Sequence, residues 1–436
     1  MNYHNYREYT LLQNNIPLCK QLEGALNCEY LIVGGGVAGL HCCLELLRQG
    51  VHANDIVLVE KAICGGGMSG KSGGFLTPDS ELGLRSLEKR YGESVAKKIW
   101  EFGAAGQASM VHNIHTQHMD CDLRDQDSLL LGLGKSGIQM CIEEHEARKE
   151  YGYDTELILD TNHLRNHNSG GCYTAGDKYN DCFGINAFQY CQWVKHYLGQ
   201  QGVRVFEFTE ITDLKNTHAI ANCGSIAFKH CFACPGKVTN SLSKSKAKLL
   251  FGVMNFITVS EPLEKYQIQA MMPGGECMCW DTKLVFSYYR AIDGNRIILG
   301  GGNPISSFLP RDIQYDAAIK SAIYDFKKTF PSLKGVQFSD YRSGRIQVTK
   351  DLMPIIDTCN TYCNHTRVLG CAGLPRAAAC GEFAVKKYFK KHDKALEPIF
   401  SINRKWLIQR KPSNSVLKSI IFGISNAWSM FWQKGY

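Results

Sequence analysis

Tyr30-Leu-Ile-Val-Gly34-Gly-Gly36-Val-Ala-Gly39, followed downstream by Ile56-Val-Leu-Val59-Glu60, decides how this chain begins to fold. A short apolar run enters G-x-G-x-x-G, and an amphipathic stretch carrying Leu40, Leu44 and Leu47 follows it to Gly50. The pattern is strand, tight turn, helix, strand, acid. Gly34 permits the turn, Gly36 lets a pyrophosphate approach the backbone, and Gly39 lets the helix lie close on the strand. The helix start, with Val37 and Ala38 in its first turn, offers N–H groups to phosphate. Glu60 stands where a carboxylate accepts hydrogen bonds from ribose hydroxyls and would repel a 2′-phosphate, which disfavours NADP. The motif leaves NAD and FAD both open.

A chain of 436 residues exceeds one ordinary core, so two or more domains are expected. The net charge of +8 is spread out, and the densest basic run, Lys386-Lys-Tyr-Phe-Lys-Lys391, reads as the solvated end of a helix. No basic stripe interleaved with stacking aromatics is present, so no nucleic-acid partner is expected. The first twenty residues are polar and unlike a secretory leader. With nineteen cysteines, that points to an intracellular, reducing compartment, the cytoplasm, with mostly free thiols. Cys231-x-x-Cys234 and Cys277-x-Cys279 lack second pairs at finger spacing, so they read as core cysteines and no metal site is expected. The C-terminal tail, 401–436, ends in Val416 to Trp432, an amphipathic segment with Phe422, Trp428, Phe431 and Trp432. It suits a tail helix docked on its own protein or a partner, or one lying at a membrane surface.

Beyond Glu60 the chain does not enter another helix. Lys61-Ala-Ile-Cys-Gly-Gly-Gly-Met-Ser69-Gly-Lys-Ser72-Gly73-Gly74-Phe75 is a small-residue loop, which lets backbone amides crowd a long flat ligand. Here the sequence resembles the D-amino-acid oxidase superfamily of flavoproteins. It is most similar to the branch of gamma-glutamylputrescine oxidase and related amine oxidases, whose loop has the form G-A-S-G-R-N-G-G. Further similar stretches are Gly170-Gly-Cys-Tyr173 with Gly184-Ile-Asn186, Gln201 to Ile211, and Phe232-Ala-Cys-Pro-Gly236. Asp281 to Arg290, Arg296 to Gly302, Tyr341 to Pro354, and Val368 to Pro375 continue the resemblance.

The resemblance implies an α/β fold: a Rossmann-like FAD-binding domain with an inserted antiparallel-sheet substrate domain. The FAD-binding domain would comprise 27–80, 185–255 and 340–400, and the substrate domain 81–184 and 256–339. It implies an enzyme, an FAD-dependent oxidoreductase that oxidises a C–N bond of a small amine or amino-acid-like substrate with oxygen as acceptor. An FAD dehydrogenase feeding a quinone or carrier protein, and a flavin-binding protein without turnover, stand as alternatives. It places Gly34, Gly36, Val37, Ala38, Gly39, Glu60, Lys61, Ser69, Ser72, Gly73 and Gly74 along the cofactor. Ile211, Gly236, Gly370, Gly373, Leu374 and Pro375 complete that set. The positions of covalent attachment in relatives have no matching residue, so FAD is expected to be non-covalent.

Tyr288 and Arg290 become catalytic candidates on a strand facing the flavin, with a packed interdomain contact as their structural reading. Lys283 is a candidate for helping oxygen react, against the reading of an exposed strand lysine. The family's carboxylate-binding arginine falls at Ile346, and Arg345 lies one residue earlier. On a strand that displacement turns the side chain to the opposite face, although Arg345 remains a third candidate. Arg342, Leu374, Pro375 and Asp357 also depart from the family pattern close to where the flavin is expected.

Overall fold

The computed structural model describes residues 16–78, 82–236, 249–283, 286–293, 295–301, 316–358 and 364–404. The amphipathic segment of the tail lies outside the described residues. Among those described, no helix is long and apolar enough to cross a membrane.

Three sheets organise the described residues. The first has eight strands, and its centre is parallel: Ile56–Val59 lies between Gly24–Val33 and Arg204–Phe206, while Gly24–Val33 also pairs with Gly224–Ala233. Ile56–Val59 is apolar throughout because both of its faces are covered. Alternation on its neighbours sorts the two layers. Tyr30, Ile32, Leu58 and Phe232 enter the core under the helices Val37–Arg48, Ala187–Gln200 and Leu374–Tyr388. Leu31, Val33, Val57 and Val59 enter the opposite core with Ile226 and Phe228.

A buried polar network ties the helical layer together. His41, on Val37–Arg48, meets Glu382 Oε1 at 3.0 Å and the Tyr190 hydroxyl at 2.8 Å. Arg48 donates to the same Glu382 oxygen at 2.9 Å and to Asn113 Oδ1 at 3.0 Å. Four helices therefore share one satisfied cluster. Burial raises the Glu382 pKa, but His41, Ser109 and Arg48 outweigh it and hold the carboxyl well below the carboxylate range.

The second sheet also has eight strands and is antiparallel except for one parallel pair, Cys277–Asp281 with Asp127–Gly132. Tyr289, Ala291, Ile297 and Leu299 face an outer core with Phe326 and Phe330. The alternate residues Tyr288, Ile292, Ile298, Ile257 and Val259 face inward with Phe75. A small third sheet joins Phe75–Leu76, Phe183–Gly184 and Arg124–Asp125.

Two features depart from the sequence-based partition. The boundaries at 255 and 340 fall inside Leu250–Ser260 and Phe338–Thr349, which pair along their length as one ribbon of the second sheet. The helix Glu93–Thr116, expected in the inserted domain, packs on Leu374–Tyr388 in the first core. Gly106 makes this approach possible, since a Cβ there would overlap the Pro375 carbonyl oxygen, while Gly103 lies against Pro78.

All seventeen cysteines among the described residues are free. Cys231, Cys277 and Cys279 are buried in strands, and burial pushes the Cys277 thiol up to about 11. These thiols behave as small core side chains.

The Glu382 carboxyl, depressed in the folded state, stabilises the protein above the unfolded carboxylate pKa and loses that contribution as pH falls toward its folded value. Glu382→Gln should cost about 3 kcal/mol at neutral pH. The gap to wild type in urea-unfolding free energy should be flat above about pH 5 and narrow below about pH 4.

Candidate functional site

The fingerprint turn is formed by contacts between strand ends. Gly34 has φ +112°, and its N–H donates to the Val59 carbonyl at 2.8 Å. A Cβ there would lie 2.5 Å from the Cys234 carbonyl oxygen, while Cys234 N–H donates to Val33 at 2.8 Å. A Cβ on Gly39 would overlap the Gly34 carbonyl oxygen, so helix and strand touch backbone to backbone. Gly36 is the N-cap of Val37–Arg48 and supplies no side-chain cap. Apart from the Val37 N–H, which Ser69 takes up, that leaves the first-turn N–H groups of a twelve-residue helix without a cap from the turn.

Glu60 closes one side. Its two oxygens accept the Gly35 N–H at 2.8 Å and the Ala62 N–H at 2.9 Å. A carboxylate has about four lone-pair sites, so both oxygens can still accept from hydroxyl donors. Ser69 closes the other side, its Oγ accepting the Val37 N–H at 3.1 Å. A Cβ on Gly36 would lie 2.9 Å from that Oγ, so a side chain there would press on the hydroxyl that closes the cradle.

The small-residue loop is held from below by a residue that the sequence did not single out. Glu207, fully buried, accepts the Cys64 N–H at 2.7 Å and is paired with Lys195 at 3.5 Å. A Cβ on Gly70 would press on the Phe188 ring at 2.8 Å. At the far end, the Ser72 hydroxyl accepts the Gly74 N–H at 3.2 Å, and the Gly74 carbonyl accepts from Ile185 at 2.9 Å.

The inner face of the second sheet roofs this loop. Arg290, only 2% exposed, donates from Nε to the Gly73 carbonyl at 2.7 Å and from another nitrogen to the Ile185 carbonyl. Its remaining bonds reach Gln126 Oε1 at 3.2 Å and the Ala291 carbonyl at 3.1 Å. Four protein acceptors surround this guanidinium, which makes Arg290 a positioning residue between loop and roof. The Tyr288 ring stands edge-on to Phe75, with centroids 5.4 Å apart, and its hydroxyl accepts from Asn255 at 3.1 Å. Between loop and roof lies a narrow cavity, floored by Gly70 to Gly73 and roofed by Ile257, Val259 and Ile298. Arg342 and Asn186 also line it.

Arg345 is not brought there. Gly344 lies on the inner face, against the Met68 sulfur. Arg345 turns to the other face, where its stem covers Gly252 and a guanidinium nitrogen donates to the Gly252 carbonyl at 3.5 Å. Ile346 returns inward, beside Val348 and Ala372. Lys283 is exposed and paired with Asp281 at 3.0 Å.

The remaining sequence candidates fall into three places. Val37, Ala38 and Gly39 form the first turn of the helix, and the exposed Lys61 follows Glu60. Gly370 and Gly373, both with positive φ, lead into a second helix start at Leu374 and Pro375 whose N-cap has no side-chain bond. Gly236 is exposed just past Gly224–Ala233, and Ile211 is buried in the cluster of Val57 and Val59.

A glycine cradle at a helix start, a carboxylate with acceptor capacity and a small-residue loop running under a second sheet fit an elongated dinucleotide such as FAD. The fold and this geometry define a two-domain flavoprotein oxidoreductase. A family model for FAD dependent oxidoreductases, DAO, matches residues 29–386. The chain belongs to the DAO family of FAD-dependent oxidoreductases. It is 25% identical over 359 residues to gamma-glutamylputrescine oxidoreductase of Escherichia coli K12, covering 81% of this chain and 82% of that protein. Glycine oxidase from Geobacillus kaustophilus has a similar fold, with TM-score 0.72 and 15% identity over 87% of this chain and all of that one. L-amino acid deaminase from Proteus vulgaris aligns with TM-score 0.68 and 16% identity, covering 89% of this chain and 97% of that one.

Three outcomes are expected from this geometry. Gly36→Val should weaken flavin retention roughly 5- to 150-fold, from an overpacking cost of about 1–3 kcal/mol, read as the ratio of flavin to protein absorbance after purification. Gly67→Ala, where a Cβ meets nothing within 4 Å, should retain flavin. Arg290→Met should lower the melting temperature, since each buried acceptor left without a donor costs about 1–3 kcal/mol.

Proposed function

We propose that the protein holds FAD non-covalently and oxidises a C–N bond of an amino-acid-like substrate bearing a carboxylate, with oxygen as acceptor. The observation that carries this reading is the cavity between Gly70 to Gly73 and the second sheet. Its walls combine apolar side chains with polar ones, Lys71, Ser72, Asp122 and Arg290 among them, and two further donors, Asn186 and Arg342, reach it. The buried Asn186 Nδ2 has no hydrogen-bond partner among the described residues, while its Oδ1 accepts from Gln189 N–H at 3.2 Å. Arg342 stands on the inner face beside Gly344, its guanidinium touching the Gly70 carbonyl at 3.4 Å. An amide donor and a guanidinium suit a carboxylate, which accepts from both.

Bound FAD would supply the two-electron sink that turns an amine into an imine, which water then converts to a carbonyl product and an amine. The chain's own contribution is positional. The fingerprint turn, Glu60 and the helix start would grip the adenosine and pyrophosphate end. The Arg290 clamp keeps the Gly73 carbonyl in place at the cavity floor, and the apolar roof of Ile257, Val259 and Ile298 excludes water from the reacting carbon. Arginine does not titrate near neutral pH, so Arg342 acts by charge and hydrogen bonding rather than as a base.

An anaerobic panel of amines and amino acids should bleach the flavin absorbance with at least one carboxylate-bearing compound. Arg342→Met should raise KM for that compound about 10- to 100-fold, the worth of a charge-assisted hydrogen bond, with a smaller effect on a neutral amine. A flavin-loaded protein reduced by no member of the panel would favour the reading without turnover.

A further inference from the structure

We propose that Glu156, His163 and His167 form a divalent transition-metal site that pins a short helix to the terminal strand of the second sheet. The site is separate from the cavity and independent of the reading of the reaction. One carboxylate oxygen and one nitrogen from each imidazole lie within 4.8 Å of one another. Two imidazoles and a carboxylate match the ligand preferences of Zn²⁺, and three protein ligands leave a fourth position for water.

The ligands are placed by the fold rather than by chance rotamers alone. His163 and His167 are four residues apart on Thr161–His167, so both rings point from one face, with centroids 5.3 Å apart. Leu164, between them in sequence, is 1% exposed and fixes the rotation of the helix by entering the second-sheet core. Asp160 caps the helix, its Oδ1 accepting from Asn162 at 2.7 Å and His163 at 3.2 Å. At the other end, Asn168 donates to the Tyr289 hydroxyl at 2.8 Å, inside the core. The His167 ring rests against Gly274, where a Cβ would lie 3.1 Å from Nδ1.

Glu156 comes from Thr155–Ile158, the last strand of the second sheet, and pairs in register with Lys178. The Lys178 ammonium is instead paired with Asp127 at 2.9 Å. Glu156 faces His163 Nε2 at 3.7 Å, too long for a hydrogen bond and suited to a shared ion. A seven-residue helix has little intrinsic stability, so a metal bridging it to the strand would hold it in place beside Leu164's seat in the core.

The test is calorimetric titration of Zn²⁺ into the EDTA-treated, flavin-loaded full-length protein, alongside its melting temperature with and without Zn²⁺. The expected result is one Zn²⁺ per chain and a higher melting temperature. Affinity should fall at least about tenfold in His163→Gln and in His167→Gln, and less in Glu156→Gln. Each variant should keep the metal-free melting temperature and flavin content of wild type, which separates lost ligation from misfolding. Cys172→Ser/Cys223→Ser, which removes the exposed thiols among the described residues, should bind as wild type does. Absence of stoichiometric binding, unchanged affinity in a His163→Gln/His167→Gln variant, or loss of binding in the cysteine variant would overturn the proposal.

Discussion

The Arg290 guanidinium is the contact on which the relation between the two large sheets depends. It projects from the second sheet and takes up the carbonyls of Gly73 and Ile185, so the small-residue loop and the start of the helix Ala187–Gln200 are fastened at one point. Gly74 and Gly184 lack side chains where the guanidinium lies. A buried charge is costly unless its donors are used, and here hydrogen bonds to four acceptors surround it. The floor and roof of the cavity are thus set by one side chain.

Below that clamp, the loop is shaped from both ends by backbone-level contacts. Gly65 N–H donates to the Gly35 carbonyl at 2.8 Å, Ser69 caps Val37, and Glu207 takes the Cys64 N–H. The turn that would receive phosphate and the loop that would run beneath a flavin are therefore one connected unit. The His41–Glu382–Arg48 cluster fixes the helical layer behind it, which keeps the fingerprint helix aimed while the cofactor end stays open. Rigid support beneath an accessible cradle suits a protein that must hold a long ligand at several separated points.

Much of the fold was legible in the chain because its signals are local. Strand, glycine turn, helix, strand and acid follow each other within Tyr30 to Glu60, and the parallel pairing of these strands has the register that such a unit requires. The one-residue displacement of Arg345 from Ile346 was equally readable, since strand alternation alone sends the two side chains to opposite faces. The i, i+4 spacing of His163 and His167 is visible too, but Glu156 joins them only when the helix folds back on the edge strand.

What the chain could not announce were contacts between distant segments. Glu207 supports the loop through the Cys64 N–H, 143 positions away in sequence, and Arg290 reaches Gly73 across 217. Neither residue type is distinctive in its own neighbourhood. The helix Glu93–Thr116 joined the first core because Gly103 and Gly106 give it a flat face against Pro78 and Pro375, a match that exists only once both surfaces are formed. Sequence by itself determined the glycine turn between the first two strands and the family, since a local backbone geometry dictates those residues. Tertiary structure alone decided which side chains face the cavity, because burial and alternation across two sheets select Arg342 and Asn186 and turn Arg345 away.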